Sequence, residues 1–291
     1  MIDIHMHIGR LYFEPPLEPE YLLDFMDKNN IEKAVLLPIE NPEDTSYYVT
    51  TEYVLEICKK YPDRFIPFCN VDPRRREVPN VIKEYKERGC VGFGEVLCGL
   101  YVDDVRMQKI YEVCGELKMP IIFDLSGTTC LDEVGLPKFE QMIKKFPETL
   151  FIGHGPHFWA EISSDIKKEE FSSYPKGEIK NEGAVIKLLS NYSNSFADLS
   201  AGSGYNAITR DINFGYKFLE KFQNKLFFGT DICHVNQDVP IIQYIKKSRE
   251  DKKITQSVYE KITEKNIKKI INLWNIKKDA KWKKFLLFIV H

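Results

Sequence analysis

The sequence lacks the cysteine pattern of a disulfide-stabilised or zinc-knuckle protein. Its seven cysteines are odd in number and scattered, and no two are spaced as C-x-x-C. We therefore expect reduced thiols, as in a cytoplasmic protein. Long apolar runs are missing as well: none approaches the roughly 20 residues that a membrane helix needs. We expect no membrane as a partner.

Other absences narrow the function further. The 41 basic and 43 acidic residues give a net charge of −2, so no global positive field favours nucleic acid. No G-x-S-x-G motif surrounds Ser126, Ser200 or Ser203, which argues against a serine hydrolase. The first apolar segment begins at residue 2 without a charged leader, and we expect a soluble protein of the cytoplasm. A small molecule is the expected partner.

The sequence does contain a regular alternation of short apolar runs and amphipathic segments. Most of the runs are continuously apolar, which is typical of parallel strands covered on both faces. Eight strand–helix units predict an α/β fold, a single-domain (β/α)8 TIM barrel over residues 1–276, with an open doubly wound sheet as the alternative. Residues 277–291 make up a basic and apolar tail of unknown packing. The runs are IDIHMH (2–7), KAVLLP (33–38), RFIPFCNV (64–71), CVGFGEVL (90–97), MPIIFDLS (119–126), TLFIGH (149–154), SFADLS (195–200) and KLFFGTD (225–231).

One connection is much longer than the others. Residues 155–183 separate the sixth apolar run from the next amphipathic segment, whereas a strand and its helix are usually joined by about 2 to 6 residues. A long loop at this end of a barrel predicts a lid over the site. An ordinary surface loop is the alternative.

The first apolar run carries two histidines one residue apart. Side chains alternate along a strand, so His5 and His7 lie on the same face. Such a pair is satisfied either by hydrogen bonds or by sharing one ion. The other runs favour the ion, because several of them end in a polar residue and the carboxyl ends of barrel strands meet at one mouth. The residues at these ends are Asn70, Glu95, Asp124, His154, Ser200 and Asp231.

Imidazole nitrogens and carboxylate oxygens are the donors of catalytic zinc, manganese and iron sites. Burying so many ionisable groups without an ion would be costly. We therefore predict that His5, His7 and Asp231 share a divalent metal. Zinc is the first choice, manganese or iron are alternatives, and one or two ions are compatible with the donors.

Five motifs in order resemble the amidohydrolase superfamily, in particular its amidohydrolase-related branch of metal-dependent barrel hydrolases. They are IDIHMH, GFGEVL, FIGHGPHFWAEIS, ADLSAGSGYNAITRD and LFFGTD, and the resemblance runs from residue 2 to about 275. It implies a (β/α)8 barrel whose metal is held by His5, His7 and Asp231, with His154 beside the bound water. Dimerisation is a further family-level expectation.

The sequence departs from this family at two strand ends. Many relatives place a metal-binding histidine on strand 5, where this chain has Asp124. Relatives with two metals often bridge them with a carboxylated lysine, and no lysine lies in CVGFGEVL. Glu95 is the candidate bridge there, an arrangement that resembles the TatD-like nucleases. We predict Glu95 as a ligand, with a hydrogen-bonding role behind the ligands as the alternative.

These residues predict a hydrolase that uses metal-activated water on an amide, ester or lactone carbonyl, or on a phosphoryl centre. Asp231 would take the proton of the water and pass it to the leaving group, and His154 would hydrogen-bond to the substrate oxygen. Three alternatives stay open. They are a non-oxidative decarboxylase or hydratase of the same superfamily, a TatD-like nuclease, and a ligand-binding barrel without turnover.

The predicted substrate contacts lie in the loops that follow the strands. Arg10 and Arg210 would hold an anionic group, with surface cations as the alternative. His157 and Trp159 of the long loop would wall a pocket for a ring or acyl group, although each is also compatible with simple packing. Three more aromatic residues would complete this wall: Tyr12, Phe13 and Tyr205.

Overall fold

Eight strands alternate with helices in the computed structural model, which describes residues 1–11, 14–44 and 48–271. Each strand lies inside one of the eight predicted apolar runs. The strands are β1 (Ile2–Met6), β2 (Lys33–Leu36), β3 (Phe65–Pro67), β4 (Phe93–Val96), β5 (Ile121–Asp124), β6 (Phe151–His154), β7 (Ser195–Asp198) and β8 (Leu226–Phe227).

The helices follow the strands in the order expected of strand–helix units. Several begin at a side-chain cap or a proline; Thr50, for example, accepts a hydrogen bond from the backbone of Tyr53. The helices are α1 (Pro19–Asn29), α2 (Thr51–Lys60), α3 (Val78–Glu87), α4 (Val105–Glu116), α5 (Pro137–Lys145), α6 (Pro156–Ala160), α7 (Ala184–Asn191), α8 (Ala201–Thr209), α9 (Ile212–Lys221), α10 (Pro240–Glu250), α11 (Gln256–Glu260) and α12 (Asn266–Ile270), with a π-helical turn between the last two.

The strands are parallel and pair in chain order, so the sheet closes on itself. One set runs from β1 to β3 and the other from β4 to β8. A parallel bridge between Cys69 and Phe93 joins the two sets on one side, and a bridge between Met6 and Ile232 joins them on the other. The prediction of a (β/α)8 barrel is confirmed, and the doubly wound alternative is wrong because no strand order reverses.

Two apolar clusters fill the barrel and its shell. The smaller one takes residues from six strands, which is possible only inside the barrel, and Ile267 and Ile271 extend it. The larger one packs the outer faces of the strands against the helices. On β2, for example, Val35 belongs to the inner cluster and its neighbours Ala34 and Leu36 to the outer one. Inward-pointing residues at the carboxyl ends of the strands therefore face the mouth.

The connection between β6 and α7 runs from residue 155 to residue 183, as the sequence predicts, and contains α6 and a short 3-10 turn. Its function as a lid stays a prediction. The predicted domain boundary at residue 276, the tail 277–291, Tyr12 and Phe13 lie outside the described residues. Among the residues that are described, no helix has both the length and the apolar character needed to cross a membrane.

Candidate metal centre

Four donor atoms from the ends of β1, β4 and β8 converge at the mouth of the barrel. His5 Nε2 and His7 Nε2 lie 3.1 Å apart, and they lie 3.3 and 3.4 Å from Glu95 Oε2. Asp231 Oδ1 lies 3.3 Å from the first nitrogen and 3.2 Å from the second. Two donors about 2.0 to 2.1 Å from one tetrahedral ion are separated by about 3.3 Å, so each of these five separations is of the size expected for two ligands of one divalent metal.

The two imidazoles are oriented by bonds to their other ring nitrogens. His5 Nδ1 lies 2.7 Å from Asp198 Oδ2, and His7 Nδ1 lies 3.2 Å from the carbonyl oxygen of Leu37. Metal-binding histidines characteristically use their second nitrogen in this way, which fixes the tautomer and points the free nitrogen at the ion. Both the donor set and its supporting bonds therefore fit a divalent metal.

The charges of the four donor groups are strongly coupled. Burial lowers the pKa of His7, but hydrogen bonds with Asp231 and Glu95 outweigh it and the pKa rises to about 9. Burial raises the pKa of Glu95, but the facing imidazoles hold it well below its usual range. A divalent cation and the imidazole protons compete for the same nitrogen atoms.

His154, the last residue of β6, faces the second oxygens of the same two carboxylates. Its Nε2 lies 3.7 Å from Glu95 Oε1 and 3.9 Å from Asp231 Oδ2, too far for a hydrogen bond. Its Nδ1 lies 3.1 Å from Ser200 Oγ. Nε2 is therefore positioned to meet a substrate atom or a second ion.

Asp124 ends β5 directly beside His154 in the sheet register. Its Oδ2 accepts a hydrogen bond of 3.0 Å from Thr129 Oγ1. Burial and the nearby charge of Glu95 raise its pKa to about 7, so a large fraction is protonated near neutrality. Glu95, Asp124 and His154 bring donor atoms within 4.8 Å of one another, which makes a second donor group adjoining the first.

Asp198, the last residue of β7, connects two of the histidines from behind. Its Oδ2 lies 2.7 Å from His5 Nδ1 and 3.3 Å from His154 Nδ1, and it accepts a hydrogen bond of 2.7 Å from Ser200 Oγ. Although burial raises the pKa of this carboxyl group, the two imidazoles hold it below its usual range. A fully buried, ionised carboxylate thus fixes both rings.

Asp231 is held in place by the junction of β8 with β1. Its backbone has a φ of 53°, and its N–H donates to the carbonyl oxygen of His5 at 2.8 Å. Next to it, Thr230 Oγ1 donates to Asp3 Oδ2 at 2.6 Å. The Asp231 side chain is 20% exposed, whereas the exposure of the other three donor side chains is 0 to 5%. It is the donor most open to the mouth.

The long connection approaches the loop that follows β5 and the first turn of α8. A β-carbon on Gly127 would lie 3.1 Å from Ser172 Oγ, and one on Gly202 would lie 3.2 Å from the ring of Tyr174. Burial and the charges of Asp231 and Asp124 raise the pKa of Tyr174.

Two residues predicted to contact substrate are buried at the start of the same connection. Trp159 donates its indole N–H to the carbonyl oxygen of Asp198 at 2.9 Å. His157 is fully buried against Phe171, with ring centroids 3.5 Å apart, and neither of its ring nitrogens has a hydrogen-bond partner among the described residues. Burial lowers the pKa of His157 to about 3, so its imidazole is neutral. Substrate contact by either residue stays a prediction.

The other predicted substrate contacts lie farther along the loops. Arg10 is exposed and donates to the carbonyl oxygen of Glu14 at 3.2 Å. Arg210 follows α8, and two of its buried nitrogens have no hydrogen-bond partner in the described part of the chain. Tyr205 packs edge-on against Tyr244, with ring centroids 5.8 Å apart. Whether these residues bind substrate stays a prediction.

Residues 2–273 match the family described as Amidohydrolase. The chain belongs to the amidohydrolase family. A comparison with curated protein sequences found no match. The family match covers nearly all of the described residues, as the sequence resemblance implies.

Solved structures similar to this amidohydrolase share its fold at low sequence identity. An uncharacterised TIM-barrel protein from Bordetella bronchiseptica is 15% identical, with a TM-score of 0.69 over 94% of this chain and 98% of that one. A probable 2-pyrone-4,6-dicarboxylic acid hydrolase from Acinetobacter baumannii is 15% identical, with a TM-score of 0.62 over 93% and 98%. A dihydroxybenzoic acid decarboxylase from Polaromonas with bound manganese is 16% identical, with a TM-score of 0.61 over 96% and 98%.

In this amidohydrolase, all six predicted ligands lie in or beside the donor cluster; their individual roles as ligands stay predictions. Choosing the polar residue that ends each apolar run selects Ser200 and misses Asp198. The two residues lie on one face of the chain two positions apart, and that alternation is the signal that identifies Asp198. Cys233 is also missed. Its Sγ lies 3.3 Å from Asp231 Oδ1, in a turn whose course the sequence pattern does not predict.

Proposed function

We propose that this amidohydrolase is a metal-dependent hydrolase acting on an amide, ester or lactone carbonyl of a small molecule. The observation that carries the proposal is the position of Asp231. One of its oxygens belongs to the four-donor cluster, the other faces His154, and its side chain is the donor most open to the mouth. A carboxylate so placed is suited to accept a proton from an attacking water.

A divalent ion in the cluster would supply Lewis acidity, which polarises a carbonyl oxygen and lowers the pKa of water. The protein residues would do the rest of the work. Asp231 Oδ2 accepts the proton of the attacking water. His154 Nε2, which lies 3.7 Å from Glu95 Oε1 and 3.9 Å from Asp231 Oδ2, hydrogen-bonds to the carbonyl oxygen as negative charge develops. Asp231 then passes this proton to the leaving group.

We propose zinc as the first choice of metal and manganese as the alternative. Two imidazoles and two carboxylates suit either ion. The decarboxylase structure with bound manganese supports the alternative. A small-molecule substrate, rather than nucleic acid, is supported by the balanced charge of the chain.

A second candidate is the non-oxidative decarboxylation of a hydroxylated aromatic acid. Several similar barrels are decarboxylases of this kind, including a 2,6-dihydroxybenzoate decarboxylase and a 5-carboxyvanillate decarboxylase complexed with manganese. In that reaction Asp124 would protonate the ring carbon that loses carbon dioxide. The same donor cluster would hold the ion, so geometry alone does not separate the two reactions.

Isotope labelling separates them. The metal-loaded protein is incubated with panels of lactones, esters, amides and hydroxybenzoates, once in ¹⁸O-labelled water and once in D₂O. A hydrolase places one labelled oxygen in the carboxylate product per turnover. A decarboxylase instead releases carbon dioxide and places one deuterium on carbon. Reaction of the second type alone would contradict the hydrolase proposal.

Asp231→Asn tests the role of the base in the same assay. The amide keeps a donor oxygen but cannot accept the proton, so turnover is expected to fall by about 10² to 10⁴-fold. Metal content, measured by elemental analysis, separates loss of the base from loss of the ion. The exposed Asp63→Asn is the matched control. Full activity of Asp231→Asn with its metal bound would contradict the assigned role.

A further inference from the structure

We infer that Cys233 supplies a thiolate ligand to the metal at the Asp231 edge of the four-donor cluster, which makes the centre a mixed nitrogen, oxygen and sulfur site. The inference rests on the proposed metal centre and deepens it, because it adds a ligand type that the histidines and carboxylates do not provide. It follows from three observations: where the sulfur lies, how its turn is held, and where the other cysteines lie.

The sulfur lies next to an atom of the donor cluster. The thiol of Cys233 donates to Asp231 Oδ1, with 3.3 Å between sulfur and oxygen, and the same oxygen lies 3.2 Å from His7 Nε2. All three donor atoms lie within 4.8 Å of one another. A zinc–sulfur bond is about 2.3 Å and a zinc–oxygen bond about 2.0 to 2.2 Å, so sulfur and oxygen on one ion are about 3.1 to 3.6 Å apart. The observed spacing lies within that range.

The turn that carries Cys233 is fixed from both sides. The Gln237 side chain accepts a hydrogen bond of 2.7 Å from the backbone N–H of Cys233, and its amide donates to the carbonyl oxygen of Asp231 at 2.8 Å. The backbone N–H of Asn236 donates to the hydroxyl of Tyr21 in α1 at 2.7 Å. The thiol therefore lies beside the donor cluster on a turn that hydrogen bonds hold at both ends.

The other six cysteines are located differently. They are 0 to 6% exposed, and in the part of the chain that the structure describes none of them belongs to a group of three or more metal-donor side chains. A spectroscopic signal from a metal–thiolate bond in this protein is therefore assigned to Cys233.

Coordination by this sulfur has a defined chemical consequence. The S–H bond breaks, the sulfur–metal bond forms, and the proton is released to solvent. A thiolate is a soft ligand that prefers zinc to manganese or magnesium. The centre is thus expected to select zinc more strongly than a site of two imidazoles and two carboxylates.

Cobalt(II) substitution tests the inference without an activity assay. The full-length protein is stripped of metal, and cobalt(II) is added in a buffer free of thiols. The wild type is expected to show visible d–d bands together with a near-ultraviolet thiolate-to-cobalt charge-transfer band. Cys233→Ser is expected to keep the visible bands and lose the near-ultraviolet band. The matched control, Cys58→Ser, is expected to keep both.

A second readout is the zinc-over-manganese affinity ratio, measured by competition with a chelator. It is expected to fall about tenfold in Cys233→Ser and to stay unchanged in Cys58→Ser. Visible bands without the near-ultraviolet band in the wild type, or a near-ultraviolet band that persists in Cys233→Ser, would overturn the sulfur ligand and leave the metal centre in place. Absence of all cobalt bands in the wild type would overturn both.

Discussion

The orientation of two histidines in the centre depends on one buried carboxylate. Asp198 contacts His5 and His154 through a single oxygen, Oδ2, and Ser200 donates to that same oxygen. A neutral group in its place leaves both rings free to rotate or change tautomer. Behind a ligand histidine, such a partner typically contributes a factor of 10 to 100 in metal affinity.

Asp198→Asn is therefore expected to weaken zinc binding about 10 to 100-fold. The measurement is competition for zinc with a chromophoric chelator at neutral pH. Circular dichroism checks that the barrel remains folded, and the exposed Asp63→Asn serves as the charge-matched control. Unchanged zinc affinity in a folded Asp198→Asn protein would show that His5 is oriented by other contacts.

The donor residues could be predicted from the sequence because each ends an apolar strand or lies just after one. His5, His7 and Asp231 follow from that rule alone. Asp198 and Cys233 could not be predicted in the same way. Alternation with Ser200 places Asp198 on the face of the strand that meets the mouth, but its contact with His5, 193 positions away, follows from no periodic pattern. Cys233 lies in an irregular turn, where periodicity gives no signal.

Among the helices, α5 and α7 are joined by an ionic contact that responds to pH. Glu140 of α5 accepts hydrogen bonds from Lys187 of α7 at 2.7 Å and from the hydroxyl of Tyr192 at 2.6 Å. Although partial burial raises the pKa of this carboxyl group, these bonds and Lys144 lower it to about 2. The unfolded value is about 4.3. The folded state thus holds the proton more weakly than the unfolded state.

The sign of the pH dependence follows from this difference. A lowered folded pKa contributes stability above pH 4.3, and that contribution is lost as pH falls toward 2. We expect Glu140→Gln to lower the free energy of unfolding by about 1 to 2 kcal/mol at pH 7. Urea unfolding is measured at pH 7, 4 and 3. The difference in the free energy of unfolding between wild type and Glu140→Gln should shrink as the pH falls below 4. A gap that stays constant would mean that packing, not charge, joins the helices here.

The position of the long connection after β6 can be tested at Gly202 of α8, which lies beside Tyr174 of the connection. A β-carbon on Gly202 would lie 3.2 Å from the ring of Tyr174, while alanine in the first turn of a helix is favoured over glycine by up to about 1 kcal/mol. The two effects oppose each other. The close approach is removed when Tyr174 is shortened to alanine.

We therefore expect Gly202→Ala to stabilise the Tyr174→Ala protein and to be neutral or destabilising in the wild type. A double-mutant cycle of urea unfolding measures this difference. Additive changes would place the Tyr174 ring away from α8 in solution. The length of this connection could be predicted from the sequence, but the course of its backbone could not, because an irregular segment has no periodicity from which to infer contacts.

In the whole molecule, the seam between β8 and β1 is both the closure of the barrel and the base of the metal centre. Among the described residues, three backbone hydrogen bonds join β1 to the residues that follow β8. Ile4 donates to the carbonyl oxygen of Phe228 at 3.0 Å, Asp231 donates to that of His5 at 2.8 Å, and His7 donates to that of Ile232 at 3.3 Å. His5, His7 and Asp231 also supply three of the four donor atoms. An ion held by them would tie the first strand of the barrel to the last.

Removal of the metal is therefore expected to destabilise the barrel and to loosen this seam first. A bound ion present at 100 times its Kd adds about 2.7 kcal/mol to the free energy of unfolding. Urea unfolding with added zinc and with a chelator measures that difference, and hydrogen exchange at the amides of His7 and Asp231 locates it. The His5→Ala/His7→Ala protein is the control and should unfold identically in both conditions. If the wild type also unfolds identically, or if faster exchange is spread evenly over the eight strands, the ion does not join β8 to β1.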